Sequence, residues 1–272
     1  MKENQKTAPL PKPKRTARQQ GFTLIEVIVV IAVMAILAGA LAPLATRSIN
    51  SSREDTTRKR EQLIYQAIMG ADGEQGGGFL SDVGRLPASL TELSTRGVLP
   101  LYNTANTGAV GMGWRGPYLT DGLDATGRPV DAWGTPFDYG VVGLGVIRSA
   151  GADHAMGTAD DLIYPSNPLT NNDLTTTLNI SIKVLDNSSA PPVYVDNPGV
   201  QSSVIYLTSN GAQSSLAPYP GPSPFSATLS RGIHAITVTA DPDGPGAQVP
   251  ITNTVTVFCR GGNALQQTII LR

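Results

Sequence analysis

Phe22 to Ala45 reads FTLIEVIVVIAVMAILAGALAPLA, with Glu26 as its single charge. As a helix at 1.5 Å per residue this run reaches about 36 Å, enough for a hydrocarbon core of about 30 Å. A core helix of a soluble protein rarely stays so apolar for so long. The segment ahead of it is basic: residues 1–21 hold Lys2, Lys6, Lys12, Lys14, Arg15 and Arg18 against Glu3, a net of +5. The remainder of the chain carries a net of −6. The positive-inside rule keeps residues 1–21 in the cytoplasm and sends everything after Ala45 across the membrane. An ordinary secretory signal has a shorter apolar core and a clear small-residue cleavage site. A plain signal anchor explains the length but not Glu26, because an ionisable side chain in a membrane helix is costly.

The junction Gly21-Phe22-Thr23-Leu24-Ile25-Glu26-Val27 resembles the signal of type IV pilins and of type II secretion pseudopilins. The basic leader, the Gly before Phe, and the Glu five positions after that Gly all match. The resemblance implies that a prepilin peptidase cuts between Gly21 and Phe22 and methylates the new amine of Phe22. It implies that Glu26 pairs with that amine on a neighbouring subunit, removing two unpaired charges from an apolar filament core. Ala35 with Gly39, and Ala38 with Ala42, have the small-xxx-small spacing that lets helices approach. Pro43 lacks a backbone donor and is expected to kink or loosen the helix near Gly39.

Beyond Pro43 the helix is expected to continue, with Ile49, Thr56, Leu63, Ile64, Ala67 and Ile68 at helical spacing. The charged run Arg53–Glu61 reads as a solvated face, with a subunit contact as the alternative. Gly70 and the loop Gly73–Gly78 end the helix. Pro87 is expected to open a short amphipathic helix. Gly84-Arg85-Leu86-Pro87, then Asp131-Ala132-Trp133-Gly134-Thr135-Pro136-Phe137, then Ser149 to Asp161 follow in order. In this order they resemble the globular domain of the major pseudopilin of type II secretion, with Leu86, Ala132 and His154 as departures. The resemblance covers about residues 15–165.

Asp153, Asp160 and Asp161 lie within nine residues of a Gly-rich loop. Calcium takes six to eight oxygens, which three carboxylates with carbonyls such as that of Ala150 supply in part. The spacing is not an EF-hand, and a solvated turn with Asp160 capping a short helix is the alternative. The resemblance implies calcium at these aspartates. His154, beside them, reads as solvent-facing.

Residues 166–175 read as a linker, and 176–272 as an all-β domain of six short strands. These are Leu178–Val184, Val204–Thr208, Phe225–Leu229, Ile233–Ala240, Val255–Cys259 and Leu265–Leu271, with turns at Asn210-Gly211, Arg231-Gly232, Asp241–Gly244 and Gly261–Asn263. A β-sandwich fits. Cys259 is the only cysteine, which rules out an intrachain disulfide, and it reads as a buried small hydrophobe. His234 inside a strand offers no triad.

The fold class read from the sequence is α+β. A long N-terminal transmembrane helix over 22–45 leads into a pilin-like domain over 46–165 with a small antiparallel sheet, and then the sandwich-like domain. The near-zero net charge argues against nucleic acid as a partner. The expected function is a structural, non-enzymatic subunit of a periplasmic pseudopilus for type II secretion. It would be anchored once in a bacterial inner membrane. Its expected partners are further copies, other pseudopilins, prepilin peptidase and an inner-membrane assembly platform. The alternatives are a type IV pilin displaying the β-domain for adhesion or motility, a membrane-anchored binding protein that does not polymerise, and a hydrolase.

Overall fold

The computed structural model describes residues 21–70, 77–106, 108, 110–186, 190–191, 193–196, 200–216, 224–240 and 251–271. The basic leader, residues 73–76 of the expected loop and the expected turn Asp241–Gly244 lie outside these, as do the side chains at 40, 42, 43, 45, 184–186, 195–196, 200–203, 207, 209 and 240. The chain divides into two compact units, residues 1–49 and residues 50–272.

A single helix, α1 (Leu24–Met69), begins in the first unit and ends in the second. It is assigned without a break through Pro43. In the first unit every large apolar side chain described, from Phe22 to Leu44, is exposed. Among the described residues no helix is long and apolar enough to cross a membrane. The stretch 24–39, where every side chain is described, reaches about 24 Å, and the expected span over 22–45 includes four side chains outside the described set.

In the second unit the buried stripe of α1 is Thr57, Glu61, Ile64 and Ile68, each three or four residues on from the last. The helix continues as expected, and one reading, that of the charged run, is corrected. Ile49 and Leu63 are more than half exposed, so the stripe runs beside them. The charged run is not wholly solvated, because Glu61 is buried and the Arg60 guanidinium donates to the carbonyls of Val130 and Asp131, each at 2.8 Å. A polar face of the helix is docked because the loop beneath it offers carbonyls and a backbone amide: Ala132 N donates to Thr57 Oγ1 at 3.1 Å.

Gly70, at φ +85°, ends α1 as expected. The next helix, α2 (Phe79–Val83), is wholly buried. Ile64, Ile68, Phe79, Val83, Leu93 and Ile147 are among the side chains of one apolar cluster. The helix expected at Pro87 is instead one 3-10 turn over Leu90–Leu93, and Pro87 lies ahead of it. The turn is held by Glu92, whose carboxylate accepts from Ala88 N and pairs with Arg85 at 2.8 Å. Three short strands, β1 (Asp138–Tyr139), β2 (Ile147–Ser149) and β3 (Leu162–Tyr164), form the expected small antiparallel sheet. The segment read as a linker carries α3 (Asn171–Leu174), closed by a reciprocal capping box between Thr170 and Asp173.

Among the described residues the C-terminal region holds eight strands, where the sequence reading named six. They are β4 (Thr175–Asp186), β5 (Val193–Asp196), β6 (Val200–Ser209), β7 (Ala212–Leu216), β8 (Phe225–Ser230), β9 (Gly232–Ala240), β10 (Ile251–Cys259) and β11 (Leu265–Leu271). One sheet has the order β10-β9-β6-β7. The other has the order β11-β4-β5, with β8 also paired to β4 and β11 parallel to it. Ile180, Ile182, Ile205, Ile236, Cys259 and Ile269, drawn from both sheets, share one fully buried core. The Asn210-Gly211 turn joins β6 to β7 with both residues at positive φ, the geometry a two-residue hairpin demands. β5 and β7 escape the sequence reading because they are short and β7 is mostly polar.

These strands pack directly on the preceding residues. Val110 and Met112 are buried with Ala235, Gly211 N donates to the carbonyl of Val83, and Arg85 Nε donates to Asn210 Oδ1 at 2.7 Å. Gly84 caps α2 at φ +78°, and a Cβ there would collide with the carbonyl of Thr208.

Candidate processing and assembly site

Gly21, Phe22 and Thr23 precede α1 without helical structure. Phe22 is 82% exposed, and a side chain added at Gly21 would meet no atom within 4 Å. The bond between Gly21 and Phe22 is therefore open to an enzyme. Thr23 sets the helix start: Glu26 N donates to Thr23 Oγ1 at 3.3 Å and to the Thr23 carbonyl at 3.1 Å, and Val27 N donates to that carbonyl at 3.3 Å. Thr23 and Glu26 stand three apart, the spacing of a capping box, and Glu26 sits in the first turn where the helix dipole favours a negative charge. The sequence reading assigned Glu26 only a role between subunits and missed this local one, although Thr-x-x-Glu is legible in the chain.

Downstream, α1 presents apolar side chains on every face. Ile25, Ile28, Ile31, Met34, Ile36 and Leu37 are each at least 55% exposed. A helix apolar all round needs an apolar surrounding, whether lipid or other helices. Gly39 opens onto free space, as a close helix approach requires.

Residues 16–42 match the family model of the Prokaryotic N-terminal methylation motif. The chain carries a pilin-type signal. No curated protein and no solved structure matches it. The methylation motif implies processing by prepilin peptidase and pilin-type assembly, and it is typical of membrane-anchored proteins.

The acidic loop between β2 and β3 is occupied internally. Asp160 Oδ2 accepts from the amides of Ala152 and Asp153 at 2.8 and 3.1 Å, so it caps the 3-10 turn Gly151–Asp153 that precedes it in the chain. The Thr158 hydroxyl, with these amides, holds the Asp160 carboxyl below its ordinary range. Asp153 Oδ1 accepts from Ala155 N at 2.8 Å, and Asp161 Oδ2 from Gly157 N at 2.7 Å. Arg148 faces Asp161 at 3.7 Å. Ala150 is buried, and His154 is exposed with its Nδ1 2.7 Å from Thr135 Oγ1. Among the described residues no group of three or more His, Cys, Asp or Glu is placed to hold a metal ion. In this arrangement each of the three aspartates accepts from a backbone amide.

His234 and Cys259 are both buried. His234 Nε2 donates to the Ser230 carbonyl at 2.7 Å, and burial lowers its basicity. Burial pushes the Cys259 thiol up to about 11, where it is an inert thiol.

Proposed function

We propose that the chain is a structural subunit of a periplasmic pseudopilus that drives protein export by type II secretion, with no catalytic role. The observation that carries this is an exposed, Thr23-capped Gly21–Phe22 junction at the head of a helix whose first sixteen residues, 24–39, present apolar side chains on every face. In this reading prepilin peptidase releases the leader, and the apolar segment holds the subunit in the inner membrane. An assembly platform then moves the subunit into a filament of further copies and other pseudopilins. Glu26 neutralises the cationic amine of Phe22 on a neighbour as each subunit enters.

Glu26→Leu is expected to leave cleavage after Gly21 intact and to abolish filament assembly, read by mass spectrometry of the N-terminus and by electron microscopy of assembled fibres. Normal fibres from the variant would remove this role. A gene deletion complemented with wild type or Glu26→Leu separates the two filament readings. Loss of secreted proteins from the culture supernatant, with sheared surface fibres unchanged, supports the pseudopilus. Lost fibres with secretion intact would make the protein a type IV pilin, a reading favoured by the large β-sandwich packed against the pilin-like region. Calcium at Asp153, Asp160 and Asp161 belongs to the same proposal on the likeness of the loop alone. A fall in melting temperature on chelation, reversed by calcium, supports it, and an unchanged curve removes it.

A further inference from the structure

β10 and β11 form one open side of the sandwich. Among the described residues β10 pairs only with β9, and β11 only with β4, so each is the edge of its sheet. Between them lies a groove of about 440 Å³, lined by residues 251–253 and Val255 on one side and residues 268–270 on the other. Asn253 Nδ2 crosses it to the Ile270 carbonyl at 3.0 Å. Exposed sheet edges are commonly blunted by shortness, charge or proline. β10 has none of these: it is nine residues long and reads ITNTVTVFC, without a charge or a proline. The opposite edge of the same sheet, β7, is five residues long.

The exposed face of β10 also carries an unfinished ladder. Thr252 and Thr254 stand opposite Thr239 and Thr237 of β9, with hydroxyl contacts of 3.0 and 2.9 Å. Thr252, Thr254 and Thr256 are all exposed, and the ladder stops at the edge. Cross-strand threonine pairs are among those that stabilise a sheet. Its natural continuation is another threonine row of the same spacing, and β10 of a second copy supplies one.

We propose that β10 pairs antiparallel with β10 of a second copy of this chain, about a two-fold axis perpendicular to the sheet. That operation keeps both threonine rows on one face, and it places Ile251 and Val255 of each copy beside the other's groove. It brings no like charges together, and it joins the two four-stranded sheets into one while consuming both open edges. The pairing is separate from filament assembly and does not depend on Glu26.

The test uses the full-length protein in detergent micelles. Thr252→Cys, Thr254→Cys and Thr256→Cys are oxidised singly and as mixed pairs, with Thr228→Cys on the exposed face of β8 as the control. The native Cys259 is fully buried and gives little background. Disulfides need Cα atoms within about 7 Å, so one combination should form covalent dimer several-fold faster than the control. Thr254→Lys, an edge charge, is expected to shift the sedimenting species from dimer to monomer in a Glu26→Leu background, with the β-sheet signal in circular dichroism retained. Dimer formation at β10 no faster than at Thr228, or a Lys variant that sediments like its parent, would overturn the proposal.

Discussion

Asp131→Ala is expected to destabilise the second unit by about 2–4 kcal/mol, read as a lower urea midpoint of the full-length protein in micelles. Asp131 is 1% exposed. Its Oδ1 accepts from Trp133 N at 3.0 Å and Thr135 N at 2.8 Å, and its Oδ2 accepts from Ser149 Oγ at 2.6 Å. Alanine leaves two amides and a hydroxyl without their acceptor, each costing on the order of 1–3 kcal/mol where water cannot replace it. Losing a buried charge beside Glu61 offsets part of this. The turn also holds the carbonyls of Val130 and Asp131 under Arg60, so its loosening weakens the seat of α1. Asp131→Asn keeps one acceptor and should cost about half as much. An alanine variant as stable as wild type would show that the turn holds itself.

Glu61→Gln is expected to raise the melting temperature at pH 8 and to change little at pH 5. Burial is the main cause that pushes the Glu61 carboxyl up to about 7; Arg58 pulls it down and Asp131 adds to the rise. Glu61 Oε1 has no hydrogen-bond partner. The folded state therefore keeps a proton that the unfolded chain releases near pH 4.5. Stability from this group is full below about 4.5, falls as pH rises toward about 7, and is lost above it. Glutamine mimics the protonated acid and removes the fall, a gain of about 1–2 kcal/mol at pH 8 once partial solvent screening is allowed for. His234 acts in the opposite sense, since burial lowers its proton affinity and acid costs it stability. The difference between variant and wild type at each pH isolates Glu61. Parallel melting curves across pH 5–8 would sink the claim.

These two groups also mark where a linear reading stopped. Glu61 stands in a run of charges that looks solvated, and only the packed loop reveals it as buried. Asp131 opens a motif that the sequence singles out, yet the partner of its second oxygen, Ser149, lies eighteen residues away. The sequence reading began this strand at Val255, so Thr252 and Thr254 of β10 and their place at the rim of a sheet came only from the structure.

The sequence by itself determined what short-range chemistry controls. Gly21, Phe22, Thr23 and Glu26 define the signal within six residues. A helix runs from Leu24 to the stop at Gly70, since neither boundary needs a distant partner. Strand signals placed all six strands that were named, and Asn210-Gly211 placed a turn, because both act through local backbone geometry. Tertiary structure alone decided which face of α1 is buried, that β11 runs parallel to β4, and that the β9 strand packs directly on Val110 and Met112. It also decided that the aspartates of the acidic loop serve amides. Each of these depends on partners brought together from far along the chain, whose meeting is set by the burial of the whole and not by any one segment.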